Sequence, residues 1–152
     1  MIKQVRYVVA ILVAAAVPTQ AYSACVASGG YVELLGINIK NLLAPSSGPS
    51  IACVGSSGNY SNQEVLQNSL SGNIKDYKKG PNDPNDPSKV VGTYSITGTS
   101  PGQITYTYTG GPVDTYTVYG TVPVASGSYD FCNGSALVVT VNVVIGSAGP
   151  CP

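Results

Sequence analysis

From Ala136 to Ile145 the chain alternates strictly between two kinds of position. Leu137, Val139, Val141, Val143 and Ile145 fall on one face, and Ala136, Val138, Thr140, Asn142 and Val144 on the other. A period of two, carried mostly by β-branched residues, predicts a strand with one face in a core. Shorter runs of the same kind precede it. Ile104, Tyr106 and Tyr108 alternate with Thr105, Thr107 and Thr109, and Asp114, Tyr116 and Val118 share a face in the next run. A Gly110-Gly111-Pro112 loop between them pairs Thr109 with Val113, Tyr106 with Tyr116 and Ile104 with Val118.

Three further strands follow from the same pattern. Val90, Gly92, Tyr94 and Ile96 form one face of a strand ending at Thr97. Tyr129 and Phe131 share a face within 128–132, and 50–54, carrying Cys53, is a short apolar strand between Pro49 and Gly55. Turn signals at short, regular spacing predict an all-β fold: an antiparallel meander of about 7–9 strands, disulfide-stabilised, forming a small up-and-down barrel or a two-sheet sandwich. Two stretches are ambiguous. In 61–77, Leu66, Leu70 and Ile74 suit a strand face or a helix face, and Ser61 with Glu64 resembles a capping box. Gly72 and the Asn/Ser content favour one long bent strand, bulged near Gly72. In 31–43, Leu34, Leu35, Leu42 and Leu43 are core candidates, and 38–44 suits a helical turn.

The chain opens with Lys3 and Arg6, an apolar run from Tyr7 to Val17, and the small-x-small triplet Ala21-Tyr22-Ser23. This reads as a signal peptide over 1–23, leaving one β domain at 24–152 with its core at about 31–145. The apolar run is short of the roughly 20 residues that span a bilayer. Acylation at Cys25 is the alternative processing, but Tyr22 stands where a lipobox carries Leu. The expected location is the periplasm or the extracellular space. Beyond residue 23 there are five lysines, no arginine and seven carboxylates. A balance near −2 argues against nucleic acid or an anionic membrane surface as partner.

Cys25, Cys53, Cys132 and Cys151 are even in number in an exported chain, which predicts two disulfides. Three pairings are open; Cys25–Cys53 with Cys132–Cys151 is preferred because each closes a short loop and ties down a terminus. The sequence has no His and no C-x-x-C pair, so a zinc cluster is not indicated. The stretch 80–89 (GPNDPNDPSK) reads as successive turns. Its sharper reading is a calcium loop through Asp83 and Asp86, although EF-hand spacing and the closing Glu are missing.

No catalytic residues are assigned and no cofactor is indicated: His-based triads are ruled out, and no G-x-S-x-G elbow or phosphate loop is present. The seven carboxylates are scattered along the chain. Eleven tyrosines, with one Phe and no Trp, supply nearly all the aromatic area. Tyr94, Tyr106, Tyr108, Tyr116 and Tyr129 are the candidates for lining a ligand cavity; the plainer reading is cross-strand packing.

The segment Asp76-Tyr77-Lys78-Lys79-Gly80-Pro81, then Val91-Gly92-Thr93-Tyr94-Ser95-Ile96 and a Tyr/Thr hairpin, resembles small secreted bacterial proteins of unassigned role. The rhythm over about 51–145 is similar to that of lipocalin-like (calycin) barrels. The G-x-W that lipocalins carry near the N-terminus is absent, and no ligand residue carries over. Three functions are entertained: a non-catalytic barrel binding a small apolar ligand or an envelope protein; a surface-assembly subunit joined through strand edges; and a carboxylate-based hydrolase or inhibitor.

Overall fold

The computed structural model describes residues 25–56, 59–66, 69–76, 89–147 and 151–152. The segment read as a signal peptide and the calcium candidates Asp83 and Asp86 lie outside them. A short strand β1 (Tyr31–Glu33) leads into helix α1 (Gly36–Leu43). Eight strands follow: β2 (Ser50–Ser56), β3 (Asn59–Leu66), β4 (Ser71–Asp76), β5 (Lys89–Thr97), β6 (Gln103–Tyr108), β7 (Val113–Thr121), β8 (Gly127–Asn133) and β9 (Ala136–Ile145). Each of β2 to β9 pairs antiparallel with its successor, and β9 returns to pair with β2. The result is a closed eight-stranded up-and-down barrel, with β1 added against the end of β7. Closure excludes the sandwich.

The alternation of the strands decides which side chains enter the barrel. Leu66, Ile74, Tyr94, Ile96, Ile104, Tyr106, Val118, Tyr129, Phe131, Val141 and Val143 form one buried cluster with Leu34, Ile39, Leu42 and Leu43. The last three belong to α1, which closes the end holding residues 69–70, 98–102 and 122–126. Burying each of these aliphatic side chains contributes about 1.5–3 kcal/mol. No side chain caps α1 at Leu35. Its first amide is satisfied by the barrel instead: Gly36 N donates to Gly98 O at 3.2 Å, and Gly102 N donates to Leu34 O at 3.2 Å. Backbones approach so closely here that a Cβ on Gly102 would collide with Gly36 N and Leu34 O.

A second cluster lies on the outside of the barrel wall. Ile51, Cys53, Tyr60 and Val65 are covered by Cys151 and Val144. The Tyr60 hydroxyl donates to Pro152 O at 2.8 Å, and Cys151 N donates to Gln63 Oε1 at 2.7 Å.

Several expectations are corrected. The stretch 61–77 is not one bent strand: β3 ends at Leu66, β4 starts at Ser71 and the two pair antiparallel, and the register shift in β4 falls between Ile74 and Lys75 rather than near Gly72. Leu70 sits in the turn and is exposed, as is Leu35, whereas Leu34, Leu42, Leu43, Leu66 and Ile74 are core. The β6–β7 hairpin pairs Thr107 with Val113, two residues from the expected register. A shift of two keeps every face, so the alternation still places Tyr106, Tyr116 and Val118 inward.

The disulfides are Cys25–Cys132 and Cys53–Cys151, not the short-loop pairs. Strand order supplies the reason. Cys53 on β2 is separated from β8 by β9, so the chain leaving β9 reaches it, while the segment ahead of β1 lies beside β7 and β8. Cys25, 4 % exposed, has its sulfur in the bridge, which leaves no thiol there for acylation. Among the described residues, no helix is long and apolar enough to cross a membrane.

Candidate functional site

Opposite α1, at the end holding the 109–112 and 134–135 turns, the described residues do not fill the barrel. A cavity of about 230 Å³ is lined by Ala52, Val54, Glu64, Tyr106, Tyr108, Tyr116, Phe131, Val139 and Val141. Strand register brings these together from separate parts of the chain. Ala52 pairs with Glu64, Phe131 with Val139, and Tyr106 with Asp114. The rings make one wall: Tyr116 and Phe131 lie 5.8 Å apart edge to face, Tyr106 lies 6.1 Å from Tyr116 and 6.5 Å from Phe131, and Tyr108 stacks at 6.1 Å on Tyr106. Offset and tilted contacts of this kind are favourable for aromatic rings and hold them in place.

The one carboxyl in this lining is Glu64, 8 % exposed on the inward face of β3. The Tyr108 hydroxyl donates to it, 2.9 Å from Oε1 and 3.2 Å from Oε2. Burial pushes the Glu64 carboxyl up to about 7; the bond from Tyr108 opposes the rise and the charge of Asp76 adds to it. Burial raises the phenols of Tyr106, Tyr108 and Tyr116 as well, helped by Glu64, so all three remain protonated. A larger recess of about 460 Å³ adjoins, lined by Glu64, Asp76, Lys89, Val90, Val91, Tyr108 and Thr109. Glu64 and Tyr108 line both spaces.

Of the five candidate tyrosines, Tyr106, Tyr108 and Tyr116 line the cavity. Tyr94 and Tyr129 do not: both are buried with their hydroxyls turned to the α1 end, donating to Ser69 O at 2.9 Å and Ala125 O at 2.7 Å. Glu64 is the residue that the sequence reading missed, having assigned it to a capping box and to a scatter of carboxylates. The signal was present once 59–66 is a strand, because Glu64 then shares the core face with Leu66. Among the described residues, no group of three or more His, Cys, Asp or Glu side chains is placed to hold a metal. Comparison of the chain with family models, curated proteins and solved structures gave no match.

Proposed function

We propose that this chain is an exported, non-catalytic binding barrel that takes a small, largely apolar molecule into the aromatic cavity at its open end. The observation that carries the reading is the contrast between the ends. α1 fills one with Ile39, Leu42 and Leu43, whereas the described residues at the other leave about 230 Å³ walled by four rings and four aliphatic side chains with a single carboxyl. An apolar concavity with few, placed polar groups is the usual form of a small-molecule site. Export is supported by the two disulfides, which persist in oxidising compartments. Closure of the sheet argues against assembly through strand edges, because only the three-residue β1 adds to the barrel and no long edge is left among the described strands.

Native mass spectrometry of the protein purified from its own host, with indole titration followed on the Val139 and Val141 methyl resonances, tests the reading. The expected result is one indole per chain, or a co-purified mass lost on denaturation, with both abolished by Ala52→Phe. A bare mass together with unmoved methyl resonances would overturn it.

One observation favours a second reading, a carboxylate-based hydrolase. Glu64 and Asp76 stand directly opposite across β3 and β4 beside the 460 Å³ recess, and a carboxyl held near 7 suits a general acid. Turnover of glycosides by wild type but not by Glu64→Gln would replace the binding reading with this one.

A further inference from the structure

What sets this cavity apart from a plain apolar pocket is Glu64. An ionised carboxylate offers about four acceptor positions. Here the single Tyr108 hydroxyl, shared between the two oxygens at 2.9 and 3.2 Å, is the donor they receive among the described residues. Among those residues no lysine or arginine lines the aromatic cavity with it, and Lys89 stands across the adjoining recess. Such a group is costly to bury in its charged form unless a cation or further donors meet it.

The rest of the surroundings have the same preference. Asp76 is paired with Glu64 across β3–β4, and Asp114 with Tyr106 across β6–β7, so the described residues at this end carry three carboxylates. Lys89, exposed at the start of β5, lines the adjoining recess and not the aromatic cavity. Tyr106, Tyr116 and Phe131 offer the negative faces and polarisable area that attract organic cations within about 6 Å.

Building on the binding-barrel reading, we infer that the ligand is an organic amine, its protonated nitrogen set against Glu64 and the tyrosine rings and its apolar body against Ala52, Val54, Val139 and Val141. A carboxylate-headed ligand is set against the Glu64 carboxyl. A neutral one leaves Glu64 short of donors or keeps it protonated.

The choice has a distinctive pH dependence. Among the described residues, the titratable groups beside Glu64 are Asp76 from β4, Tyr106 and Tyr108 from β6, Tyr116 from β7, and Lys89 from β5 across the recess, with Asp114 acting on Tyr108 and Tyr116; the facing residues of β2, Ala52 and Val54, carry none. With its carboxyl near 7 in the empty protein, Glu64 is partly protonated at neutral pH, and a bound cation drives that proton off. Amine affinity therefore rises with pH up to about 7 and then levels, whereas a neutral ligand is favoured on the acid side.

The test uses three ligands with one apolar body and different heads: 2-phenylethylamine, 2-phenylethanol and phenylacetate. Each is titrated by calorimetry into the intact, disulfide-bonded protein between pH 5.5 and 8.5, in buffers of different ionisation enthalpy. The expected order at pH 7.5 is amine at least tenfold tighter than alcohol, with phenylacetate weakest. The amine should lose close to tenfold per pH unit well below pH 7 and should release a proton on binding. Glu64→Gln should remove the amine's advantage and keep alcohol binding; if that variant does not fold, the wild-type pH profile decides alone.

Equal binding of alcohol and amine, with no proton released, overturns the amine and leaves the binding barrel standing. So does uptake of indole without any of the three. Failure of all four ligands overturns both readings.

Discussion

Glu64 is a carboxyl on a core face, and its consequence for stability has an unusual sign. Its carboxyl is raised to about 7 from the ordinary 4.5, so between those values the folded chain holds a proton that the unfolded chain gives up. Folding is thus favoured by this group at acid pH, and the advantage is lost as pH rises from about 4.5 to 7. A rise of that size corresponds to roughly 3 kcal/mol. Urea unfolding of ligand-free protein at pH 5 and pH 8 should therefore show Glu64→Gln gaining on wild type at the higher pH by about 2–3 kcal/mol. Parallel pH curves for the two proteins would refute the assignment. Tyr108 tests the same site from the other side. Its hydroxyl stabilises the ionised carboxylate, and bonds to charged groups contribute about 1.5–3 kcal/mol. Tyr108→Phe should move the Glu64 titration, followed by NMR at its carboxyl carbon, upward by about one pH unit.

At the scale of elements, the strands with strict alternation were legible and the connections less so. β9, β6 and β5 carry their period of two in full view, because most of one face of each lies in the core, although Val90 and Leu137, at the starts of β5 and β9, are exposed. The β6–β7 register escaped by two residues, since alternation determines parity and not the absolute pairing. β3 and β4 read as one strand because Leu66, Leu70 and Ile74 keep an even spacing across the break between Leu66 and Ser71. Glu64 keeps the same even spacing and falls on the Leu66 face in either reading; the capping-box and scattered-carboxylate readings are what hid it. The aromatic half of the site, Tyr106, Tyr108 and Tyr116, was readable from Tyr-Thr alternation; Tyr94 and Tyr129 have the same pattern and differ only in which end their hydroxyls face. The close approach of α1 to the β5–β6 turn was not readable at all, because a glycine in a turn signal does not say what passes beside it. It carries a prediction. A methyl on Gly102 meets main-chain atoms of Leu34, Leu35 and Gly36, which cannot turn aside as a side chain would. Gly102→Ala should cost about 1–3 kcal/mol or somewhat more, and amide exchange should quicken at Ile39 and Leu42 as α1 loosens. Unchanged exchange in α1 would show that the turn, rather than the helix, absorbs the strain.

For the whole molecule, the disulfides follow from the closure of the meander. In a chain whose last strand returns to its first, cysteines near the two ends meet partners almost a full circuit away, here at separations of 107 and 98 residues. The short-loop preference failed because it weighed sequence distance and ignored the wrap. Loops of about 100 residues remove the most freedom from the unfolded chain, nominally about 4.7 kcal/mol each, although the entropic account is disputed and losses of 2–5 kcal/mol are typical. The two bridges differ in what else they hold. Cys53–Cys151 keeps the tail over Ile51, Tyr60 and Val65, with the bonds from Tyr60 to Pro152 and from Cys151 to Gln63. Replacing Cys53 and Cys151 by alanine should thus lose the loop contribution together with this cover, whereas replacing Cys25 and Cys132 loses chiefly the loop contribution. Denaturant unfolding of the two double variants should rank the Cys53/Cys151 variant as the less stable by about 1–2 kcal/mol, the scale of the buried hydrogen bonds it also gives up. Non-reducing peptide mapping of the wild type should link Cys25 to Cys132 and Cys53 to Cys151. A peptide joining Cys25 to Cys53 would contradict both bridges, and with them the placement of the segment ahead of β1 against β8 and of the tail against β2.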